Sequence, residues 1–212
     1  MQNNTANGII DQDNVKRRKF YEVQSFFKEM KDNEALTQSE VKSDVAVVYD
    51  YESMASFRIQ RQSFLMDYKQ EVYRLYRPFY KKNINMDVIP SDSDFDKYKV
   101  LLLPVMIVHK KEVQDKVRKF VSGGGTVVFT YRTAVKDYYN NLTLGQFNPT
   151  YYTDLVGGYV EEVESFQDDQ VALLIGNEEF EGINGTATVF RDMLKTTTAK
   201  TLFKYEDESL KI

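Results

Sequence analysis

The chain has no cysteine and a single histidine, His109. The first absence removes disulfides, thiolate metal sites and a cysteine nucleophile. The second removes any multi-histidine metal cluster. Tryptophan is missing too, against 15 tyrosines and 14 phenylalanines, an imbalance that decides nothing alone. No apolar run approaches the ~20 residues that a membrane-spanning helix needs. Positive charge is not in excess: 28 Lys and Arg face 32 Asp and Glu, for a net charge of −4. A negative chain lacks the field that non-specific nucleic-acid binding requires. The start, Met1-Gln2-Asn3-Asn4-Thr5, is polar and has no apolar core of a signal peptide. Neither a membrane nor a nucleic acid is an expected partner, and the expected address is the cytoplasm.

What remains is an ordinary globular balance. The 212 residues are 42% hydrophobic and 28% charged, which suits one domain, or one domain and a tail. Phe20, Val23, Phe27 and Met30, with Phe26 beside them, recur at helical spacing. Asn14 is the expected N-cap of that helix. Lys16, Arg17, Arg18 and Lys19 fall in its first turn, where cations oppose the helix dipole. Either an anionic neighbour sits nearby or this is a solvated charge run. Residues 31–43 turn polar and read as a linker.

From residue 44 the pattern changes. Val45–Tyr49 is a continuous apolar run, as in a strand buried on both faces. A long helix is expected over Phe64–Lys82, kinked or ended by Pro78. Ile84–Ile89, Val100–Val105 and Thr126–Thr130 read as further strands. Glu112–Val121 reads as a helix with Val113, Val117, Phe120 and Val121 inward, capped by Ser122-Gly123-Gly124. Strands alternating with helices predict βαβ units and a mainly parallel sheet. The expected fold is an α/β three-layer, flavodoxin-like domain. Val160–Val163, Val171–Ile175 and Ala187–Leu194 come next as strands or short helices. Thr201–Tyr205 looks like a strand without a successor, so the domain reads as truncated at its C-terminal end.

Doubly wound sheets bind ligands at the carboxyl ends of their strands. Here the first strand leads into Asp50-Tyr51-Glu52-Ser53, whose two carboxylates and missing glycine would repel a phosphate. Gly123-Gly124-Gly125 precedes a strand and suits a tight helix-to-strand turn. Amidotransferase-like relatives of this fold use a Cys–His–Glu triad, and this chain has no cysteine and no G-x-S-x-G elbow. His109, with Lys110 and Lys111, opens a helix and reads as a surface residue at its start. Asp92-Ser93-Asp94-Phe95-Asp96 mimics a calcium loop, but Lys97 and Leu103 occupy the positions that need Gly and Glu. These acids are expected in a turn. Asn3, Asn141 and Asn184 each begin an N-x-T sequon, read as chance matches. Glu161, Glu162 and Glu164 read as one polar strand face.

A resemblance then emerges. Val45-Ala46-Val47-Val48-Tyr49-Asp50-Tyr51-Glu52-Ser53 resembles the opening strand of the trimerisation domain of family 42 glycoside hydrolases, the bacterial β-galactosidases. Asn83 to Pro90, Asp94 to Pro104, and Phe120 to Val128 resemble its next segments in order. Arg132-Thr133-Ala134-Val135-Lys136-Asp137, then Asn140, resembles the loop after its fourth strand. Asp154-Leu155-Val156-Gly157-Gly158-Tyr159-Val160-Glu161-Glu162 resembles the segment that this family carries beyond that loop. Gly8 to Asp13, Arg17-Arg18 and Tyr21-Glu22-Val23 look like the end of that family's catalytic barrel. Two departures stand out: Tyr138-Tyr139 replace other residues in the loop, and Met54 stands where tryptophan is frequent.

The resemblance implies three segments: residues 1–35 as a barrel remnant, 36–43 as a linker and 44–212 as a class I glutamine amidotransferase-like α/β trimerisation domain. It also implies that the two catalytic glutamates, and the zinc cysteines of many members, belong to a (β/α)₈ barrel absent here. A barrel needs ~200 or more residues. No catalytic, cofactor or metal residue is therefore expected in this chain. The implied partners are the chain's own barrel domain and two further copies. The candidate interface residues are Tyr51, Arg132, Lys136, Asp137, Tyr138, Tyr139 and Asn140. Tyr51, Phe57, Tyr131, Tyr138, Tyr139, Tyr151 and Tyr152 fall in expected loops, with about half expected to pack back on their own domain. Two other functions stay open: an amidotransferase-like enzyme with an atypical nucleophile, and a sugar-binding module using exposed tyrosines.

Overall fold

The computed structural model describes residues 8–10 and 13–206. Asn3 and the Asp11-Gln12 part of the N-terminal motif lie outside them. The chain divides into two units, Met1–Lys42 and Ser43–Ile212.

The first unit is helical. Helix α1 spans Arg18–Asp32 and buries none of its residues. Phe26 and Phe27 are 56% and 63% exposed, while Phe20 and Val23 are half-buried. Asn14 is not the cap. It sits upstream with φ 60°, and Arg17 occupies the N-cap without a side-chain bond. Asp13 takes the local N–H instead, accepting from Val15 at 3.1 Å. The basic run finds its anions within the unit: Arg17 pairs with Asp13 and Arg18 with Glu22, while Lys16 lies over the Phe20 ring. A short helix, α2 (Glu34–Thr37), interrupts the stretch expected to be a plain linker.

The second unit is built on four parallel strands in the order β2-β1-β3-β4: β1 Val45–Tyr49, β2 Met86–Pro90, β3 Val100–Leu103 and β4 Thr126–Phe129. Successive side chains of β1 point to opposite faces, as the pleat requires. Val45 and Val47 join a core with Phe57, Tyr68 and Val72. Ala46 and Val48 join a second core with Val113, Val117 and Phe120. These cores lie under α3 (Tyr51–Ile59) and α4 (Tyr68–Lys81) on one face, and α5 (Lys111–Ser122) on the other. Three layers result, as expected.

The long expected helix is present but shorter at its start. Asp67 caps α4, accepting from the Lys69 and Gln70 amides at 3.0 and 3.3 Å, so the helix starts at Tyr68 rather than Phe64. Pro78 is inside it, and the helix runs on to Lys81. One missing N–H near the end does not stop a helix whose apolar face is packed. Helix α3 replaces the expected loop after β1. Its buried residues are Ser53, Ser56 and Phe57, so serines hide the apolar period that would reveal it. At the end of α5 the left-handed residue is Gly124, with φ +94°. Gly125 packs so closely that a Cβ there would meet the Phe120 ring at 2.3 Å.

The remaining strands are not parallel. After α6 (Thr153–Val156), β5 (Gly158–Ser165) pairs antiparallel with β8 (Phe190–Thr196). A second small sheet has the order β7-β6-β9, from Asn184–Ala187, Ala172–Gly176 and Phe203–Tyr205, all antiparallel. Only β6 and β7 are neighbours in the sequence; β5 and β8, and β6 and β9, are paired across intervening strands. The expected carboxylate face of β5 is broken by a register shift between Val160 and Glu162; Glu161 pairs with Lys195 and Glu164 with Arg191. The Asp92–Asp96 acids do form a turn, with Asp94 accepting from the Asp96 amide. Among the described residues, no helix is long and apolar enough to cross a membrane.

Candidate functional site

The carboxyl ends of β1 and β3 are where a sheet of this order holds ligands. In this chain that crevice is filled by its own charges. Asp50 follows β1 and is 0% exposed. Its carboxylate accepts from the Ser53 amide at 2.9 Å, capping α3, and from Ser91 Oγ at 2.8 Å. Lys110 closes the crevice, 3.3 Å from Asp50 and 2.6 Å from Glu52. Burial alone would lower the Lys110 pKa, but the bonds and charges of Glu52 and Asp50 outweigh it and hold it above the ordinary lysine value. The backbone N–H of Asp50 donates to Tyr68 Oη at 2.8 Å.

Ser53 stands at the start of α3. It is fully buried, and its Oγ accepts from the Val108 amide at 3.1 Å. His109 does not stand at the open surface as expected. It precedes α5, half-buried, with its ring stacked on Tyr151 at 4.1 Å. Burial pushes its pKa down, with Lys111 adding to the effect. Ser53 and His109 do not form a nucleophile–base pair.

The end of β4 differs. The chain leaves it and runs beside the segment after β3. Ala134 N–H donates to Met106 O, Val135 and Lys136 N–H to Ile107 O, and His109 N–H to Lys136 O, at 2.7–3.0 Å. A tight turn then forms. Lys136 bridges Leu142 in antiparallel sense, Asn140 N–H donates to Asp137 O, and Asp137 accepts from Asn141. Asn140 takes the left-handed conformation the turn needs, at φ 67°. Tyr138 and Tyr139 occupy the tip, their rings edge to face at 5.6 Å.

This turn brings Lys136, Asp137, Tyr138, Tyr139 and Asn140 together as one structure. Their exposures differ. Tyr138 and Tyr139 are 60% and 81% exposed, whereas Lys136 is 2% exposed. Arg132 is half-buried. Its N–H donates to Asp192 Oδ2 at 2.8 Å, and its guanidinium donates to Gln62 Oε1 at 3.0 and 2.6 Å. Burial pulls its pKa down. Tyr51 is exposed but stands against Tyr49 at the start of α3. Of the other aromatics expected in loops, Phe57 and Tyr152 are buried in the cores.

Residues beyond Asn140 enlarge the surface and were not singled out from the sequence. Leu142, Leu144 and Phe147 are 58%, 84% and 62% exposed. The whole stretch from Tyr138 to Phe147 carries no charged side chain, in a chain that is 28% charged. That gap in charge is the signal that could have found them. Uncharged, exposed and rich in large apolar groups, such a segment has the makeup of an interface core. Beside it lies an open cleft of about 450 Å³ lined by Gln146, Phe147, Tyr151, Thr153, Asp154 and Tyr159 among others.

Comparisons with known proteins bear on the family and the fold. Residues 43–211 match the family model described as the beta-galactosidase trimerisation domain. The chain is 28% identical over 207 residues to the beta-galactosidase BgaA of Clostridium cellulovorans, covering 95% of this chain and 30% of that protein. It is 34% identical over 172 residues to the beta-galactosidase BbgII of Bifidobacterium bifidum, covering 79% of this chain and 24% of that protein. Among solved structures it resembles the beta-galactosidase of Bacillus circulans sp. alkalophilus, with a TM-score of 0.81 and 26% identity over 95% of this chain and 30% of that one. The chain thus spans less than a third of the length of these relatives.

Proposed function

This chain belongs to the beta-galactosidase trimerisation domain family, and from that premise we propose that it joins subunits through the uncharged loop after β4. The carrying observation is the stretch from Tyr138 to Phe147, where Tyr138, Tyr139, Leu142, Leu144 and Phe147 are each more than half exposed. Full burial of one such side chain is worth about 1.5–3 kcal/mol. Three copies in a ring satisfy a head-to-tail contact without leaving an open end. Tyr51, Arg132, Lys136, Asp137 and Asn140 shape or border the same contact. Exposed Phe26 and Phe27 on α1 support a second docking role, against a catalytic barrel of the parent protein. That parent is a retaining β-galactosidase whose two glutamates stand in the barrel, and the trimerisation domain takes no step in the chemistry.

Sedimentation equilibrium of the chain tests the reading. The wild type is expected to approach three times the monomer mass as concentration rises. The Tyr138→Ser/Tyr139→Ser variant is expected to stay monomeric over the same range. A monomeric wild type at millimolar concentration overturns the proposal for this chain.

A second reading, sugar binding, draws on the cleft beside Phe147, Tyr151 and Tyr159. Aromatic faces beside hydroxyl and amide groups suit a neutral pyranose. Calorimetric titration with galactose and lactose separates it from assembly, since binding by the Tyr138→Ser/Tyr139→Ser variant would require no association.

A further inference from the structure

Lys136 is the least expected residue of the loop. Its side chain is among the largest that are fully buried, and no carboxylate lies within salt-bridge distance of it among the described residues. The ammonium instead donates to three neutral oxygens: Ser56 Oγ at 3.3 Å, Gln60 Oε1 at 3.3 Å and Asn140 Oδ1 at 3.1 Å. Ser56 Oγ in turn donates to Asn140 Oδ1 at 2.6 Å. Ser56 and Gln60 belong to α3 and its end, and Asn140 closes the tyrosine turn. The three donors of one ammonium are thus spent on tying the turn to a helix of the core.

We infer that Lys136 is a positioning residue for assembly: it clamps the Tyr138–Tyr139 turn to α3, so that the apolar tip is presented in one shape before any partner arrives. The inference rests on the assembly reading above and gives Lys136 a role inside the subunit rather than across the contact. Its logic is entropic. A free turn must be ordered when it docks, and that cost is subtracted from affinity. A turn already fixed by its own domain docks without it. A buried ammonium without a carboxylate is a poor device for stability, because desolvation opposes its charge. The arrangement makes sense if the return is the shape of the turn.

Two variants break the clamp without touching the tip. Lys136→Met keeps the length and apolar stem and removes the donors. Asn140→Gly keeps the left-handed turn residue and removes the oxygen that Lys136 and Ser56 share. Hydrogen exchange and sedimentation are measured on both, and on the Tyr138→Ser/Tyr139→Ser variant. Exchange across residues 137–142 is expected to quicken about tenfold in both clamp variants, while β1 keeps its protection. Self-association is expected to weaken by about tenfold as well. The tip variant should lose association with the exchange of the turn's amides unchanged. Wild-type exchange in both clamp variants overturns the inference, as does loss of β1 protection in both, which would make Lys136 a general core residue. If the wild type never associates, the assembly reading falls, and the exchange data still decide whether Lys136 holds the turn.

Discussion

Two lysines stand beyond the carboxyl ends of the parallel strands and are treated in opposite ways. Lys110 faces two carboxylates, Asp50 and Glu52. Lys136 is more deeply buried and faces only neutral oxygens. The first closes the crevice in which a doubly wound fold would hold a ligand. The second fixes the turn that carries the exposed tyrosines. The crevice after β1 has its polar groups turned inward and paired. The loop after β4 has its apolar groups turned outward and uncovered. On the proposed assembly role, copies of this chain meet at the loop after β4 and not in the crevice after β1.

Substitution by methionine breaks the comparison most sharply. Lys110→Met leaves the fully buried Asp50 without a counter-charge and should cost about 3 kcal/mol or more. Urea unfolding measures it, and a loss near zero would mean that the crevice is wetter than its geometry implies. Next is the pH dependence between about pH 8 and 11, where lysines titrate. The Lys110 pKa is raised by folding, so its contribution is full below the unfolded value and fades as pH rises through the folded one. Burial, aided by Arg132, lowers that of Lys136, so the native state gives up this proton first. Between its folded value and about 10.4 the unfolded chain binds more protons, and stability from this group rises with pH. Lys110→Met should remove a falling component of the stability curve and Lys136→Met a rising one. Urea midpoints across the range show each slope.

Smaller still is the change in stability expected for Lys136→Met at neutral pH, within about 1 kcal/mol of the wild type in either direction. Lost hydrogen bonds there oppose the relief of burying a charge. A cost as large as that of Lys110→Met would erase the distinction between the two lysines. The smallest effect belongs to Tyr138→Ser/Tyr139→Ser, whose side chains project into solvent. Monomer stability should move by no more than about 0.5 kcal/mol, measured at a concentration below association. A larger loss would mean that the tip packs on its own domain.

Much of the fold was legible because its signals are local. Val45–Tyr49, Val100–Leu103 and α5 are short apolar or strongly periodic segments whose burial matches their pattern. Helix α3 was not legible, because its buried face is Ser53, Ser56 and Phe57 and shows no apolar period. The antiparallel pairing of β5 with β8 was not legible either, since pairing partners some thirty residues apart leave no mark in either strand alone. At the candidate site, the resemblance brought out Lys136, Tyr138, Tyr139 and Asn140 as a group. It could not reveal that Lys136 points inward, which depends on acceptors contributed by α3, about eighty residues earlier in the chain. The exposure of Leu142, Leu144 and Phe147 depends on the turn preceding them, which long-range bonds hold in place.

The central claim is that the loop from Tyr138 to Phe147 is covered when copies of this chain meet. The chain has no cysteine, so Leu144→Cys, at a position 84% exposed, supplies a unique thiol for a spin label. Its mobility is measured across a dilution series. The account predicts a mobile label in dilute monomer and an immobilised one once three copies assemble. A label that stays equally mobile while the chain associates would contradict it.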